Sequence, residues 1–229
     1  MTSTTAREVS FDAGGRAGAV EGLLARPPGA ACLLVLAHGA GAGMRHPFME
    51  SAATELAARG IATLRYQFPY MQKKSRRPDP PAVLQATVRA AARAAAATAP
   101  DLPLLAGGKS MGGRMTSLAA SGEPLDGVRG IVFFGFPLHA AGNPSDERGA
   151  HLSRVTVPML FLQGTRDRLA DLDRLRPLHA GLPRATLRVF EGADHSFHPP
   201  KSAGRTDAEV LVEIAEIVAA WTAQTLRQT

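Results

Sequence analysis

Short apolar runs alternate with amphipathic segments along most of the chain. Val9 to Phe11 and Ala19 to Ala25 are candidate strands, and Gly14 and Gly15 between them are typical of a hairpin turn. Cys32 to Ala37 is wholly apolar and is followed by a glycine-rich loop, the pattern of a strand buried on both faces of a parallel sheet. The opening of the chain therefore predicts an antiparallel hairpin that leads into a buried strand.

Strand and helix patterns then take turns as far as the end of the chain. The predicted helices run from Phe48 to Ala57, from Val83 to Ala97, from Met111 onward, from Asp171 to Ala180 and from Asp207 to Leu226. The predicted strands between them are Ile61 to Tyr66, Leu102 to Ala106, Val128 to Gly135, Val157 to Leu162 and Ala185 to Phe190. This order predicts an α/β fold with a mostly parallel, eight-stranded sheet and helices on both faces. Ligands in such sheets bind at the carboxyl ends of the strands, so functional residues are expected in the loops that follow them.

Composition narrows the class of protein further. The 229 residues, of which 45% are apolar and 20% charged, fit a single globular domain over 1–229. The net charge of +6 is dispersed, and the one tight basic run, Lys73, Lys74, Arg76 and Arg77, has no aromatic platform beside it. A solvated loop is favoured there over an anion-binding site, and no nucleic-acid partner is expected.

Cysteine content and hydropathy bear on the compartment. Cys32 is the only cysteine, so the chain forms neither an internal disulfide nor a thiolate metal cluster. The first thirty residues lack the apolar core of a signal peptide, and no window holds eighteen apolar residues in a row. We therefore expect a cytoplasmic protein without a membrane partner; its oligomeric state is left open.

The segment Gly107 to Gly113 carries the motif G-x-S-x-G around Ser110. It falls between a predicted strand ending at Ala106 and a predicted helix starting at Met111, where such a turn raises a nucleophilic hydroxyl above the sheet. Glycines flank the serine because side chains there would collide with the neighbouring strand and helix. Position and motif together predict Ser110 as a nucleophile.

The same segment resembles the end of a phosphate-binding P-loop, since Gly108, Lys109 and Ser110 spell its last three residues. That motif requires a glycine where this chain has Pro103. Proline has no backbone N–H with which to cradle a phosphate, so nucleotide binding at this loop is rejected.

A serine nucleophile needs an imidazole base and a carboxylate that orients it. Asp167 and His195 follow two later strands, and the order serine, acid, histidine is the one this fold uses. Asp171, Asp173 and Asp194 are weaker candidates for the acid: the first two fit a helix start, and the third adjoins the histidine too closely. His198 is a distant second choice for the base, and surface or core roles are favoured for His46, His139, His151 and His179.

The loop His38 to Gly43 has three glycines after the buried strand. An oxyanion hole needs two donors, conventionally the amide after the nucleophile and one from such a loop. Met111 and Ala40 are therefore the candidates, and the alternative is a flexible glycine loop without a catalytic role.

Taken together, these motifs resemble those of a known family. The segments that carry this resemblance are His38 to Gly43, Leu64 to Tyr66, Gly107 to Arg114, Phe136 to His139, Gln163 to Asp167 and Asp194 to Phe197. The chain resembles the α/β-hydrolases related to dienelactone hydrolase. Within them it resembles the group named after the mammalian proteins KANSL3 and testis-expressed protein 30. The resemblance implies a three-layer fold and the same triad. Dienelactone hydrolase uses a cysteine nucleophile where this chain has Ser110, so its specificity is not carried over.

About twenty residues separate the strand ending near Gly135 from the next one, which is too short for a large cap. An open pocket is expected, lined by Phe68, Tyr70, Phe136 and Leu138, although core packing explains these four nearly as well. The expected reaction is hydrolysis of a small-molecule ester or thioester through an acyl-enzyme, without metal or organic cofactor.

Two questions stay open at the level of the sequence. The first concerns Arg114, which lies one helical turn beyond Ser110. Its two candidate roles are to bind a substrate carboxylate and to pair with an internal acid, and the second is favoured. The main alternative function is a non-catalytic interaction protein that keeps the fold, although such a protein has little reason to retain all three triad residues. A peptidase is disfavoured because the chain has no length for a cap that selects peptides.

Overall fold

The computed structural model describes residues 5–15, 17–75 and 77–228. Its eight strands are β1 (Arg7–Asp12), β2 (Ala19–Ala25), β3 (Cys32–Ala37), β4 (Ile61–Tyr66), β5 (Leu104–Lys109), β6 (Val128–Phe134), β7 (Met159–Gly164) and β8 (Ala185–Phe190). They form one sheet in the order β1-β2-β4-β3-β5-β6-β7-β8. Strand β2 is antiparallel to both of its neighbours, and every pair from β4 to β8 is parallel. The predicted mostly parallel sheet with an antiparallel opening is confirmed.

Helices cover both faces of this sheet. They are α1 (Pro47–Ala57), α2 (Pro69–Gln72), α3 (Pro81–Thr98), α4 (Met111–Gly122), α5 (Leu172–Ala180) and α6 (Asp207–Arg227). Helices α1 and α6 pack on one face and α3, α4 and α5 on the other. Successive residues of β3 alternate between the two cores, with Leu34 facing α1 and α6 and Val35 facing α3 and α4. This alternation explains why β3 is wholly apolar.

Three strand ends differ from the sequence prediction. Strand β5 begins at Leu104 and continues to Lys109 instead of ending at Ala106, because its glycines pair with β3 and β6 as strand residues. Strand β6 ends at Phe134, since Gly135 has a positive φ of 74° and leaves the strand. Strand β7 continues to Gly164, which pairs with the end of β8. The change in β5 makes Lys109, the residue before Ser110, part of the sheet.

The segment between β6 and β7 contains only two short 3-10 turns, Glu147–Gly149 and Leu152–Arg154, in the part of the chain that the structure describes. Among the described residues, no large cap covers the carboxyl ends of the strands, as the sequence predicted. Within residues 5–15, 17–75 and 77–228, no helix combines the length and apolar character needed to cross a membrane.

Candidate active site

Ser110 occupies the turn between β5 and α4, at the carboxyl end of the middle of the sheet. Its backbone has φ 50° and ψ −117°, a strained conformation for a residue with a side chain. Close packing of the turn explains its glycines: a Cβ on Gly108 would lie 2.5 Å from the Ala37 carbonyl oxygen, and one on Gly112 would meet the same atom at 2.5 Å. The sequence therefore holds the Ser110 hydroxyl in one place by backbone strain and tight contact.

The structure brings Ser110, His195 and Asp167 together from three separate loops. His195 Nε2 lies 2.8 Å from Ser110 Oγ, and His195 Nδ1 lies 2.7 Å from Asp167 Oδ2. Because a carboxylate only accepts hydrogen bonds, Nδ1 carries the imidazole proton and Nε2 is left to accept from the serine hydroxyl. This is the geometry in which an imidazole can take the serine proton.

The Asp167 carboxylate is buried and held by several donors. Its side chain is 0% exposed, whereas that of His195 is 24% exposed. Oδ1 accepts from the Leu169 amide at 2.8 Å, and Oδ2 also accepts from Gln163 Nε2 at 2.5 Å. Gln163 in turn accepts from the Phe136 amide at 3.0 Å. Gln163 thus links the loop after β6 to the acid, a role that the sequence prediction did not assign.

The rival acids have other partners in the structure. Asp171 is the N-cap of α5 and accepts from the Asp173 amide at 2.9 Å. Asp194 Oδ1 accepts from the Ser196 and His198 amides at 2.8 and 2.9 Å, which closes a turn within its own loop. Asp167 is therefore the carboxylate that the fold directs at His195.

The rival bases are also engaged away from Ser110. His198 Nδ1 pairs with Asp207 at 2.6 Å, near the start of α6. His139 Nε2 accepts from the Asp171 amide at 2.9 Å, and its Nδ1 contacts the Ala140 carbonyl at 2.9 Å. His139 thereby ties the loop after β6 to the start of α5, which is a structural role.

A second serine–histidine contact lies further along α4. Ser117 Oγ lies 2.7 Å from His151 Nε2 and also donates to the Arg114 carbonyl at 3.0 Å. Both side chains are buried, and burial lowers the pKa of His151 to about 4. No carboxylate contacts this imidazole in the described part of the chain. The pair has neither the orienting acid nor the strained turn of Ser110.

His38 anchors the loop 38–43 beside the nucleophile. It is fully buried; Nδ1 donates to the Gly39 carbonyl at 2.7 Å, and Nε2 accepts from the Phe68 amide at 3.0 Å. Burial lowers the pKa of His38 to about 4, so the ring is neutral at physiological pH. The Tyr70 hydroxyl holds the same loop by accepting from the Gly41 amide at 3.0 Å. The loop is held at its first residue and near its middle, which argues against the flexible-loop alternative.

The predicted oxyanion donors lie on either side of Ser110. A Cβ on Gly39, the residue before Ala40, would lie 3.7 Å from Ser110 Cβ, so this loop packs against the nucleophile. Met111 follows Ser110 directly, as the first residue of α4. Among the described residues, no acceptor is bonded to either the Ala40 or the Met111 amide. Both donors are available for a substrate oxygen, and their role stays a prediction.

The four predicted pocket residues lie in the hydrophobic core. Phe68, Phe136 and Leu138 are 0% exposed and Tyr70 is 1% exposed. The Phe136 ring packs against Phe133 and Phe161 with centroids 5.2 and 5.8 Å away. Core packing, the alternative that the sequence left open, is the interpretation that this burial favours.

Arg114 has no acidic partner among the residues that the structure describes. Its Nε is buried without a hydrogen-bond partner, and burial together with the charge of Arg148 lowers the pKa of its guanidinium. The favoured pairing with an internal acid is therefore not seen.

In the basic run, Lys74 has a positive φ of 56°, and Arg76 lies outside the described residues.

The fold and this geometry define an α/β-hydrolase. The family model for the alpha/beta hydrolase domain matches residues 30–223, and the chain belongs to that family. Three solved structures resemble it over nearly their whole length. They are dienelactone hydrolase from Anabaena variabilis ATCC 29413 (21% identity, 96% of this chain and 98% of that one, TM-score 0.74), an α/β serine hydrolase without lid from Xanthomonas campestris (22%, 96% and 97%, 0.72) and a cold-adapted esterase from an Arctic intertidal metagenomic library (21%, 94% and 93%, 0.67). At these identities the likeness shows the fold.

Proposed function

We propose that this α/β-hydrolase cleaves a carboxylic ester or thioester of a small molecule through a covalent acyl-enzyme on Ser110. The observation that carries the proposal is the unbroken chain of hydrogen bonds from Asp167 through His195 to Ser110 Oγ, at 2.7 and 2.8 Å. The esterase and serine hydrolase names of two similar structures support the same reaction class. The motifs around Ser110 and the loop 38–43 support placement in the group named after KANSL3 and testis-expressed protein 30.

In the first half of the reaction, Ser110 Oγ attacks the carbonyl carbon while His195 Nε2 takes the hydroxyl proton. The resulting imidazolium is stabilised by the buried Asp167 carboxylate, which the Gln163 side chain and the Leu169 amide also hold by hydrogen bonds. Negative charge on the former carbonyl oxygen is stabilised by the amides of Met111 and Ala40. His195 then gives its proton to the leaving alcohol or thiol, and the acyl group stays on Ser110.

In the second half, water attacks the acyl-enzyme with His195 again as the base, which releases the acid and restores the serine. Every proton transfer is carried out by the imidazole, so the scheme requires neither a metal ion nor an organic cofactor. A small molecule is the proposed substrate, and among the described residues no large cap lies over the strand ends at which it would bind. Cytoplasmic location, and the expectation that neither nucleic acid nor membrane is a partner, stay predictions.

Steady-state hydrolysis of 4-nitrophenyl esters of increasing acyl length, alongside the matching thioesters, tests this proposal. We expect native protein to hydrolyse at least one series and Ser110→Ala to lose about a thousandfold or more in kcat. Ser117→Ala is the matched control, because it removes the other histidine-bonded serine of α4 and should keep native kcat. Native protein inactive on both series, or an active Ser110→Ala variant, would contradict the proposal.

A further inference from the structure

Lys109 connects the nucleophile to the loop that carries the base. It is the last residue of β5 and directly precedes Ser110, yet its side chain is buried at 9% exposure. Its Nζ donates a hydrogen bond of 2.5 Å to the main-chain carbonyl of His195. The ammonium also lies over the rings of Phe48 and Phe197, 5.7 and 5.5 Å from their centroids. A buried lysine is thus directed at the backbone of the catalytic histidine.

The His195 carbonyl has no other donor in the described part of the chain. Its loop is closed on itself by Asp194, which accepts from the Ser196 and His198 amides. These bonds give the loop its shape but do not fix its distance from β5. The Arg166 amide also donates to the Ala193 carbonyl at 2.9 Å, which ties this loop to the turn after β7. Lys109 is the hydrogen-bond link from β5, the strand that leads to Ser110, to the His195 main chain.

Gly135 shows how little room this arrangement leaves. A Cβ at that position would lie 3.1 Å from Lys109 Nζ and 3.4 Å from His195 Nδ1. The ammonium and the imidazole therefore pack against the same short stretch of main chain after β6. A shift of the Lys109 side chain changes the space available to the ring that must stay between Asp167 and Ser110.

The surroundings of Lys109 are suited to a charged donor. Burial lowers its pKa to about 8, and the negative charges of Asp167 and Asp194 oppose that lowering. The ammonium form is therefore still the major one at neutral pH. Two ring faces, two nearby carboxylates and a carbonyl offset the cost of burying the cation.

We propose that Lys109 is a positioning residue for the reaction of Ser110: its ammonium holds the His195 main chain so that the imidazole stays between Asp167 and Ser110. It does not act as the base, because Ser110 Oγ already contacts His195 Nε2 and Nζ is directed at a carbonyl. This inference rests on the proposed hydrolase function.

The test compares Lys109→Met, which keeps an unbranched side chain one atom shorter but removes the charge and the donor, with Lys109→Arg, which keeps a cationic donor. Lys201→Met, at an exposed lysine of the turn Lys201–Ala203, is the control. We expect kcat of Lys109→Met to fall about tenfold to a hundredfold with KM changed less than about threefold, because the imidazole is displaced while substrate contacts remain. Lys109→Arg should retain more kcat than Lys109→Met, and the control should match native protein.

A folded Lys109→Met variant with native kcat would overturn the inference, as would equal losses in folded Met and Arg variants. Should neither variant fold, the pH profile of native kcat decides. The rate should decline as the pH rises through about 8, because the neutral amine donates a weaker hydrogen bond than the ammonium does, and a rate that holds steady to pH 10 would overturn the inference. These failures differ from failure of the proposed function, in which native protein is inactive or Ser110→Ala is active.

Discussion

The side-chain amide of Gln163 donates to Asp167 Oδ2, the same carboxylate oxygen that His195 Nδ1 contacts. Gln163 thus connects the Asp167 carboxylate to the main chain after β6, because its side-chain oxygen accepts from the Phe136 amide. Residues around the metal-binding histidines of other enzymes act similarly, by setting the orientation of a ligand that does the chemistry. Gln163 is a buried donor that holds the Asp167 carboxylate beside His195.

Replacing this glutamine should reduce both turnover and stability. In Gln163→Met the side chain has similar volume, but Asp167 loses a donor and the Phe136 amide loses its acceptor. We expect kcat to fall about tenfold and the free energy of unfolding to fall by about 2 kcal/mol. Gln72→Met is the control, since it also removes two hydrogen bonds of a glutamine, in this case to the main chain of Ala19 and Glu21 in β2. Its kcat should be native, and a native kcat in Gln163→Met as well would refute the support role.

The two glycines nearest the nucleophile should differ in their tolerance of a methyl group. A Cβ on Gly108 meets the Ala37 carbonyl at 2.5 Å, whereas one on Gly39 makes contacts no closer than 3.6 Å. Gly108→Ala should therefore cost about 3 kcal/mol of folding free energy, and Gly39→Ala about 1 kcal/mol or less. Urea unfolding of both variants measures the difference. Equal losses would show that close packing does not explain the Gly108 position.

Stability should fall in mild acid because of His38. Its pKa is lowered from 6.5 to about 4 by burial, so the unfolded chain binds a proton that the folded chain does not between these values. The stabilisation of the neutral ring is present above pH 6.5 and is lost as the pH falls toward 4, by about 3 kcal/mol for this residue. Urea unfolding at pH 7 and 4.5 should show a smaller difference in His38→Gln than in native protein. His46→Gln, at an exposed histidine, should keep the native difference in unfolding free energy between the two pH values. The same difference in His38→Gln as in native protein would contradict the account.

Much of the fold was predictable because local patterns and long-range packing agree. The wholly apolar sequence of β3 predicted a strand with two buried faces. The glycines around Ser110 predicted a turn in which main-chain segments approach each other closely. The contact of Asp167 with His195 followed from chain order, since parallel strands bring their carboxyl ends to one edge of the sheet.

The remaining features depend on contacts between residues far apart in the chain. Lys109 looked like a loop residue because glycines precede it, and only pairing with β6 makes it a buried strand end. The hydrogen-bonding roles of Gln163 and His38 could not be predicted from the sequence, because their partners, the Asp167 carboxylate and the Phe68 amide, are brought to them only by the fold. Phe136 follows a strand in sequence, and whether it faces a pocket or the core is decided by neighbouring side chains.

The most direct test of the central claim is to label the protein with a fluorophosphonate probe and map the modified peptide by mass spectrometry. The probe reacts covalently with an activated serine hydroxyl, so it reports the nucleophile without knowledge of the substrate. The account predicts one adduct, on Ser110, that is absent in Ser110→Ala and retained in Ser117→Ala. An unlabelled native protein, or an adduct on any other serine, would contradict it.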